Sequence, residues 1–407
     1  MDRKWVEMMF EEIGNIGKLD VGYNRLAYDD ADWTAKQFLM KKMKEMGLSV
    51  RMDAVGNIIG RVEGTVPDAP VVAAGSHIDT VPTGGNFDGS VGVVGAMCAV
   101  QRIMAKGKTK NPLEVWVFAG HESSRFGFAH LGSRCICGFT EMEKWKNLKD
   151  ATGKAVPEVL ANRNLQFTEI PSCQRDTTKI KSFAELHIEQ GPILEDGHLN
   201  VGIVTDIAAP IRLSVKVRGN AAHSGTTPMQ SRHDALVAAA EIVLAVRKAA
   251  NARADKGIVG TVGYMAVKPG AMNIVPGDVE LWVDVRGNDF DLVSSVIEAI
   301  KKDANEAAEK EGVKVQIDTI SSSHPVHLSD ELIHLSEESC KEQKIPYTFM
   351  IGGGGHDSQE IGQKIPTVVL HIPCRNGVSH TPDEFASIDD IMVGIDALTG
   401  LLEKQAN

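Results

Sequence analysis

Three stretches constrain what this chain can fold into: VVAAGSHIDTV, LEVWVFAGHE and IPTVVLHIPC are apolar almost without interruption. A strand with one wet face alternates apolar and polar residues, whereas a continuous apolar run is expected of a strand covered on both faces. The first run is followed by SVGVVGAMCAVQRIMAK, which has helical spacing. Helices packed on a largely parallel sheet, an α/β layer, are the expected outcome. LSVRMDAVGNIIGRVEG reads as strands joined by a Gly-Asn turn, and MDRKWVEMMFEEIG, without the uninterrupted apolar core expected of a signal peptide, as an amphipathic helix.

The texture changes near Ile211. IRLSVKVRG alternates with period two, and the strand and helix signals that follow run β-α-β-β-α-β, the order of a ferredoxin-like sandwich. TFMIGGGGHDSQEIG and IPTVVLHIPC then return to the buried-strand style. The expected organisation is a large domain, residues 1–209 and 323–407, interrupted by a small one, residues 210–322. Two domains also suit 407 residues, more than one core usually serves.

Composition excludes several roles. A net charge of −11 offers no basic surplus for nucleic acid. The longest apolar run, Leu236 to Val246, is too short to span a bilayer. Six cysteines without paired spacing point to a reducing cytoplasm.

Open α/β sheets carry their chemistry at strand ends, and there the chain concentrates metal-ligand types. GSHIDTVP offers His77 and Asp79, GGNFDGSVG offers Asp88, and FAGHE offers His121 and Glu122. FAELHIEQGP adds His187 and Glu189, and GVSHTPDE adds His380. Imidazole and carboxylate without thiolate suit zinc, manganese or cobalt. Two ions sharing a carboxylate would polarise a carbonyl and acidify water, and Asp79 could accept the second ring N–H of His77. FAGHESSRFG is not a zinc-protease helix, because the position four residues after His121 is Arg125. Each of these residues alone has an ordinary reading, a buried histidine on a carbonyl or an Asp-Gly turn; their combination does not.

GSHIDTVPTGGNFDGSVGV, ESSRFG with LGSR, ELHIEQGPILE, GNAAHSGTTPM, GAMNIVPGDVELWVDVRG, GGGGHDSQ and GVSHTPDE together resemble the carbamoylase and allantoate amidohydrolase branch of the di-metal aminoacylase and carboxypeptidase superfamily. The resemblance runs from about Gly22 to the C-terminus. It implies an exopeptidase-like α/β catalytic domain with an inserted ferredoxin-like lid that also makes a homodimer, and two zinc or manganese ions. It implies Asp88 bridging, His77 and His187 on different metals, and Glu122 and His380 completing the set. His223 would polarise the scissile carbonyl from the neighbouring subunit, Asn273 and Arg286 would grip the substrate carboxylate, and Gln190 and His356 would line the ureido end. The implied activity is hydrolysis of a linear C–N bond in a small N-carbamoyl or N-acyl amino acid.

One position departs from that pattern. The family's strand ends in two adjacent glutamates, a general base and a metal ligand; here Glu122 takes the ligand's place and His121 the base's. Three readings follow: His121 is itself the base, the chain binds metal and ligand without turnover, or the reaction uses another proton path. An aminopeptidase or dipeptidase of the wider superfamily is a further alternative, against which GNAAHSGTTPM and HIEQGP speak.

Overall fold

The computed structural model describes residues 2–407. The chain divides into two compact units, one of residues up to Thr205 together with His327–Asn407, the other Asp206–Val326.

The first unit opens with the amphipathic helix Asp2–Asn15, which buries Val6, Met9, Phe10 and Ile13. Its strands begin with β1 (Ser49–Met52), β2 (Ile58–Val62), β3 (Val71–His77), β4 (Leu113–Phe118), β5 (Ile180–Ile188) and β6 (Val201–Ile207). β3 and β4 are buried at every position, as their unbroken apolar runs require. The helix Ser90–Lys106 is buried continuously from Ser90 to Val100.

In the second unit lie β7 (Ala209–Arg218), β8 (Ala222–His223), β9 (Val259–Lys268), β10 (Ile274–Val275), β11 (Asp278–Gly287) and β12 (Lys314–Ser322). Four of them form an antiparallel sheet in the order β12-β7-β11-β9, and β8 pairs with β10 as a separate ribbon. With helices Ala235–Asn251 and Phe290–Glu311 this is the ferredoxin-like order. Leu213, Val215, Val217, Leu281, Val283 and Val285 pack one sheet face onto those helices. Trp282 and Tyr264 stack on each other, both exposed.

The chain ends with β13 (Val326–His327), β14 (Tyr347–Gly352) and β15 (Thr367–Ile372). The large sheet runs β1-β2-β4-β3-β5-β15-β6-β13, with β14 on β6. Its centre, β4-β3-β5-β15, is parallel, whereas β1, β2 and β6 join antiparallel. The sheet is thus mixed rather than largely parallel, because short turns such as Asp53–Asn57 link neighbours without a crossover helix. β14 is half exposed, unlike the buried strand its sequence suggested. All six cysteines are free and buried, and among the described residues no helix is long and apolar enough to cross a membrane.

A buried cation stitches the N-terminal segment to the sheet. Arg25, fully enclosed, donates to the carbonyls of Ile13, Ile16 and Ile78 and to Asn86 Oδ1. Burial lowers its pKa to about 10, so the guanidinium stays charged at neutral pH. Ile78 follows His77 and Asn86 precedes Asp88 by two, so one guanidinium ties both loops that carry these residues. Arg25→Met keeps the bulk but removes the donor to the Ile16 and Ile78 carbonyls and to Asn86 Oδ1, each unpaired acceptor costing ~1–3 kcal/mol. A loss of at least about 3 kcal/mol is the expected result by denaturant titration.

Candidate metal centre

The four parallel strands point the same way, so their C-terminal ends meet along one edge of the sheet. His77 ends β3, His121 and Glu122 follow β4, His187 lies near the end of β5, and His380 sits in the loop after β15. Asp88 comes from the turn that starts helix Ser90–Lys106. Gly89 at the cap of that helix has φ +67°, and a Cβ there would lie 2.4 Å from the His77 ring. The glycine after Asp88 is therefore what lets the imidazole approach.

Asp88 stands at the middle. His187 Nε2 lies 3.0 Å and His77 Nε2 3.6 Å from its Oδ1. His380 Nε2 lies 3.0 Å from its Oδ2 and 3.5 Å from Glu122 Oε1. Two ligand-type groups result, His77–Asp88–His187 and Asp88–Glu122–His380, each within 4.8 Å. This corrects the assignment of His77 and His187 to different metals: both face the same oxygen of Asp88. Sequence spacing is silent on this point, because β3 and β5 are adjacent only in the sheet.

The donor set fits cations. His77 Nε2, His187 Nε2, Asp88 Oδ1 and Glu122 Oε1 are buried yet lack hydrogen-bond partners, an arrangement proteins rarely leave uncompensated. Asp88 favours the protonated form of the imidazoles that face it. Burial pushes the His77 imidazole down, but the carboxylate of Asp88 outweighs it and raises the pKa to about 10. Asp88 likewise raises His380 to about 9. Burial, then Asp88, lifts Glu122 to about 7.

The ring orientations are set from behind. His77 Nδ1 lies 2.9 Å from the backbone carbonyl of Asp79, and His187 Nδ1 2.9 Å from that of Ile188. The Asp79 carboxylate is 3.9 Å from the His77 ring. It accepts instead from the backbone N–H groups of His121 and Glu122, at 3.3 and 2.9 Å. Asp79 thus works through its carbonyl on His77 and through its side chain on the loop after β4, a correction to the expected carboxylate–imidazole pair. Glu189 is not part of the centre, since its carboxylate caps the N–H groups of Ile193 and Leu194.

His121 stacks flat on His77, ring centroids 3.6 Å apart. Its Nδ1 lies 2.8 Å from Asp357 Oδ2, while Ser133 Oγ donates to Asp357 Oδ1. Burial, with His77 beside it, holds the imidazole pKa well below its usual value, so the ring is neutral. As Asp357 can only accept when ionised, Nδ1 carries the hydrogen and Nε2 the lone pair. His356 is buried 4.6 Å from the His187 ring, and Gln190 Nε2 is 3.3 Å from His380 Nε2.

Three expected substrate residues belong to the second unit. His223 is exposed and pairs with Ile274, next to Asn273, whose carbonyl accepts from Ser224 N. Arg286 sits at the far end of β11, its guanidinium on Asp284 at 2.8 Å. Asp357, Ser133 and Glu384 were missed by the sequence reading. GGGGHDSQ and SHTPDE contain two of them, but sequence motifs point only to their histidines as ligands or contacts.

The profile of peptidase family M20/M25/M40 matches residues 73–404. The chain belongs to that family. An M20 relative, a ureidoglycolate hydrolase of Arabidopsis thaliana, is 39% identical over 387 residues, spanning 93% of this chain and 81% of the relative. An N-carbamoyl-L-amino-acid amidohydrolase of Paenarthrobacter aurescens is 36% identical over 98% of this chain and 97% of its own. A solved amidase of the hydantoinase/carbamoylase family from Burkholderia multivorans superposes with a TM-score of 0.90 at 31% identity, covering 99% of this chain and 98% of that one.

Proposed function

We propose that this M20 chain is a metal-dependent amidohydrolase that cleaves the linear C–N bond of a small ureido or N-acyl amino acid. An N-carbamoyl-L-amino acid, 3-ureidopropionate or allantoate represents the substrate class. The observation that carries the reading is the two-sided donor set around Asp88, in a chain whose near relatives are named for ureido and carbamoyl hydrolysis.

His77, Asp88 and His187 would hold one divalent ion, zinc or manganese, and Asp88, Glu122 and His380 a second. Bound ions supply Lewis acidity toward the scissile carbonyl and acidify water. His121 takes a proton at Nε2 from the attacking water and returns it to the leaving nitrogen. Asp357 keeps the hydrogen on Nδ1 and steadies the imidazolium that forms meanwhile. Gln190 and His356 offer polar atoms to the ureido end. His223 would donate to the carbonyl oxygen, and Asn273 with Arg286 would hold the carboxylate.

One copy cannot bring all three of the last group to a small molecule. Arg286 lies eight residues along β11 from Asp278, roughly 26 Å at strand rise. His223 and Asn273 lie beyond the Asp278 end. This supports a homodimer in which the neighbouring copy supplies one of these two ends. Six unpaired buried thiols support a reducing, cytoplasmic setting.

A panel of ureido acids, N-acyl acids and dipeptides, assayed with added Zn2+ or Mn2+, tests the proposal. Release of ammonia and the free amino acid from N-carbamoyl acids is expected. Dipeptide cleavage with ureido acids untouched would reject it.

A further inference from the structure

Two of the three imidazoles around Asp88 are anchored through their other nitrogen, His77 on the Asp79 carbonyl and His187 on the Ile188 carbonyl. Among the described residues, His380 Nδ1 has no such bond, and its side chain is 50% exposed. Its backbone is in the left-handed region, φ +60°, which a non-glycine residue keeps only when its surroundings impose it. Something other than the ring must hold His380 in place.

Glu384 occupies that position. Its Oε1 accepts from the backbone N–H groups of Phe87 and Asp88, both at 2.9 Å. Its Oε2 accepts from Ser379 Oγ at 2.8 Å and from the backbone N–H of His380 at 3.3 Å. The carboxylate is buried, 5% exposed. Four donors on two loops satisfy it, and those loops are nearly 300 residues apart in sequence. A buried carboxylate is costly unless hydrogen bonds compensate it. Here two of the four compensating donors are the backbone N–H groups of Asp88 and His380, the residues that face each other as Asp88 Oδ2 and His380 Nε2.

We infer that Glu384 is a positioning residue that sets the spacing between Asp88 and His380, and so holds the second of the two cation sites. The inference rests on the two-cation reading of Asp88. It is specific to one side of the centre, because His77 and His187 keep their own backbone anchors whether or not Glu384 is present.

Glu384→Gln tests it. A glutamine has one accepting oxygen, so its amide NH2 must face donors on one of the two loops and that tie breaks. The purified full chain, stripped of metal, is titrated with Zn2+ against a chromophoric chelator, and its ion-free unfolding is followed in parallel. Parent protein binding two ions, and Glu384→Gln keeping one at parental affinity while the other weakens ~10–100-fold, is the expected result. Equal weakening of both ions would mean general loosening and overturn the inference, as would two ions bound at unchanged affinity. If the parent binds no ions, the two-cation reading fails instead. Should Glu384→Gln not fold, Ser379→Ala removes a single donor from Oε2, and the same one-sided loss, smaller, is expected. Unchanged affinities in that variant would then count against the proposal.

Discussion

Asp357→Asn is expected to lower kcat by ~10²–10⁴-fold, the usual contribution of a positioned general base, with KM and metal content little changed. Ser133 donates to Oδ1 of Asp357, so an asparagine would keep its carbonyl oxygen there and turn its NH2 toward His121. His121 Nδ1 would then have to accept, moving the ring hydrogen to Nε2 and removing the lone pair that the proposed proton transfer needs. Steady-state kinetics with metal analysis decides the point. In a His121→Ala background the same exchange should add almost nothing, since Asp357 acts only through that ring. Full kcat in Asp357→Asn would exclude His121 as the base. The geometry also sets the sign for His121→Glu: its carboxylate would face that of Asp357, and two carboxylates sharing a buried site cannot both ionise. Activity should fall, whereas a large gain would identify His121 as a lesion.

Asp88→Asn should be at least as severe, through metal rather than through protons. The carboxylate presents one oxygen to His77 and His187 and the other to His380. An amide of the same size has one weaker ligand oxygen and no charge, so both ion sites lose their shared anion. Loss of affinity well beyond the ~10–100-fold typical of changes behind the ligands is expected, measured by titration against a chelator. Two ions held at parental affinity would refute the central role of Asp88. The ion-free protein offers a second readout. His77 and His380 have folded pKa values of about 10 and about 9, above their ordinary value of 6.5. Their pairing with Asp88 therefore stabilises fully below about pH 6.5 and is lost as pH rises through 9 to 10. Asp88→Asn should flatten that alkaline slope in denaturant titrations.

Much of the fold was legible because burial leaves a periodic trace. β3, β4 and β15 were plain as unbroken apolar runs, and β7 as period-two alternation. The mixed character of the large sheet was not legible, since a strand's apolar pattern is the same beside a parallel or an antiparallel neighbour. β14 misled for a related reason: TFMIG is apolar, yet the strand joins the sheet beside β6 and stays half exposed.

At the centre, the types and order of His77, Asp88, Glu122, His187 and His380 could be read from the chain, because metal chemistry demands imidazole and carboxylate. Their pairing could not. Which imidazoles share an oxygen of Asp88 depends on strand order, and the sequence holds no record of which strand lies beside which. The same holds for the groups behind them. Asp357 meets His121 across 236 positions, and Glu384 meets Asp88 across 296. A residue's identity states which bonds it is able to make; only the packed sheet, by bringing distant loops to one edge, selects the partner with which it makes them.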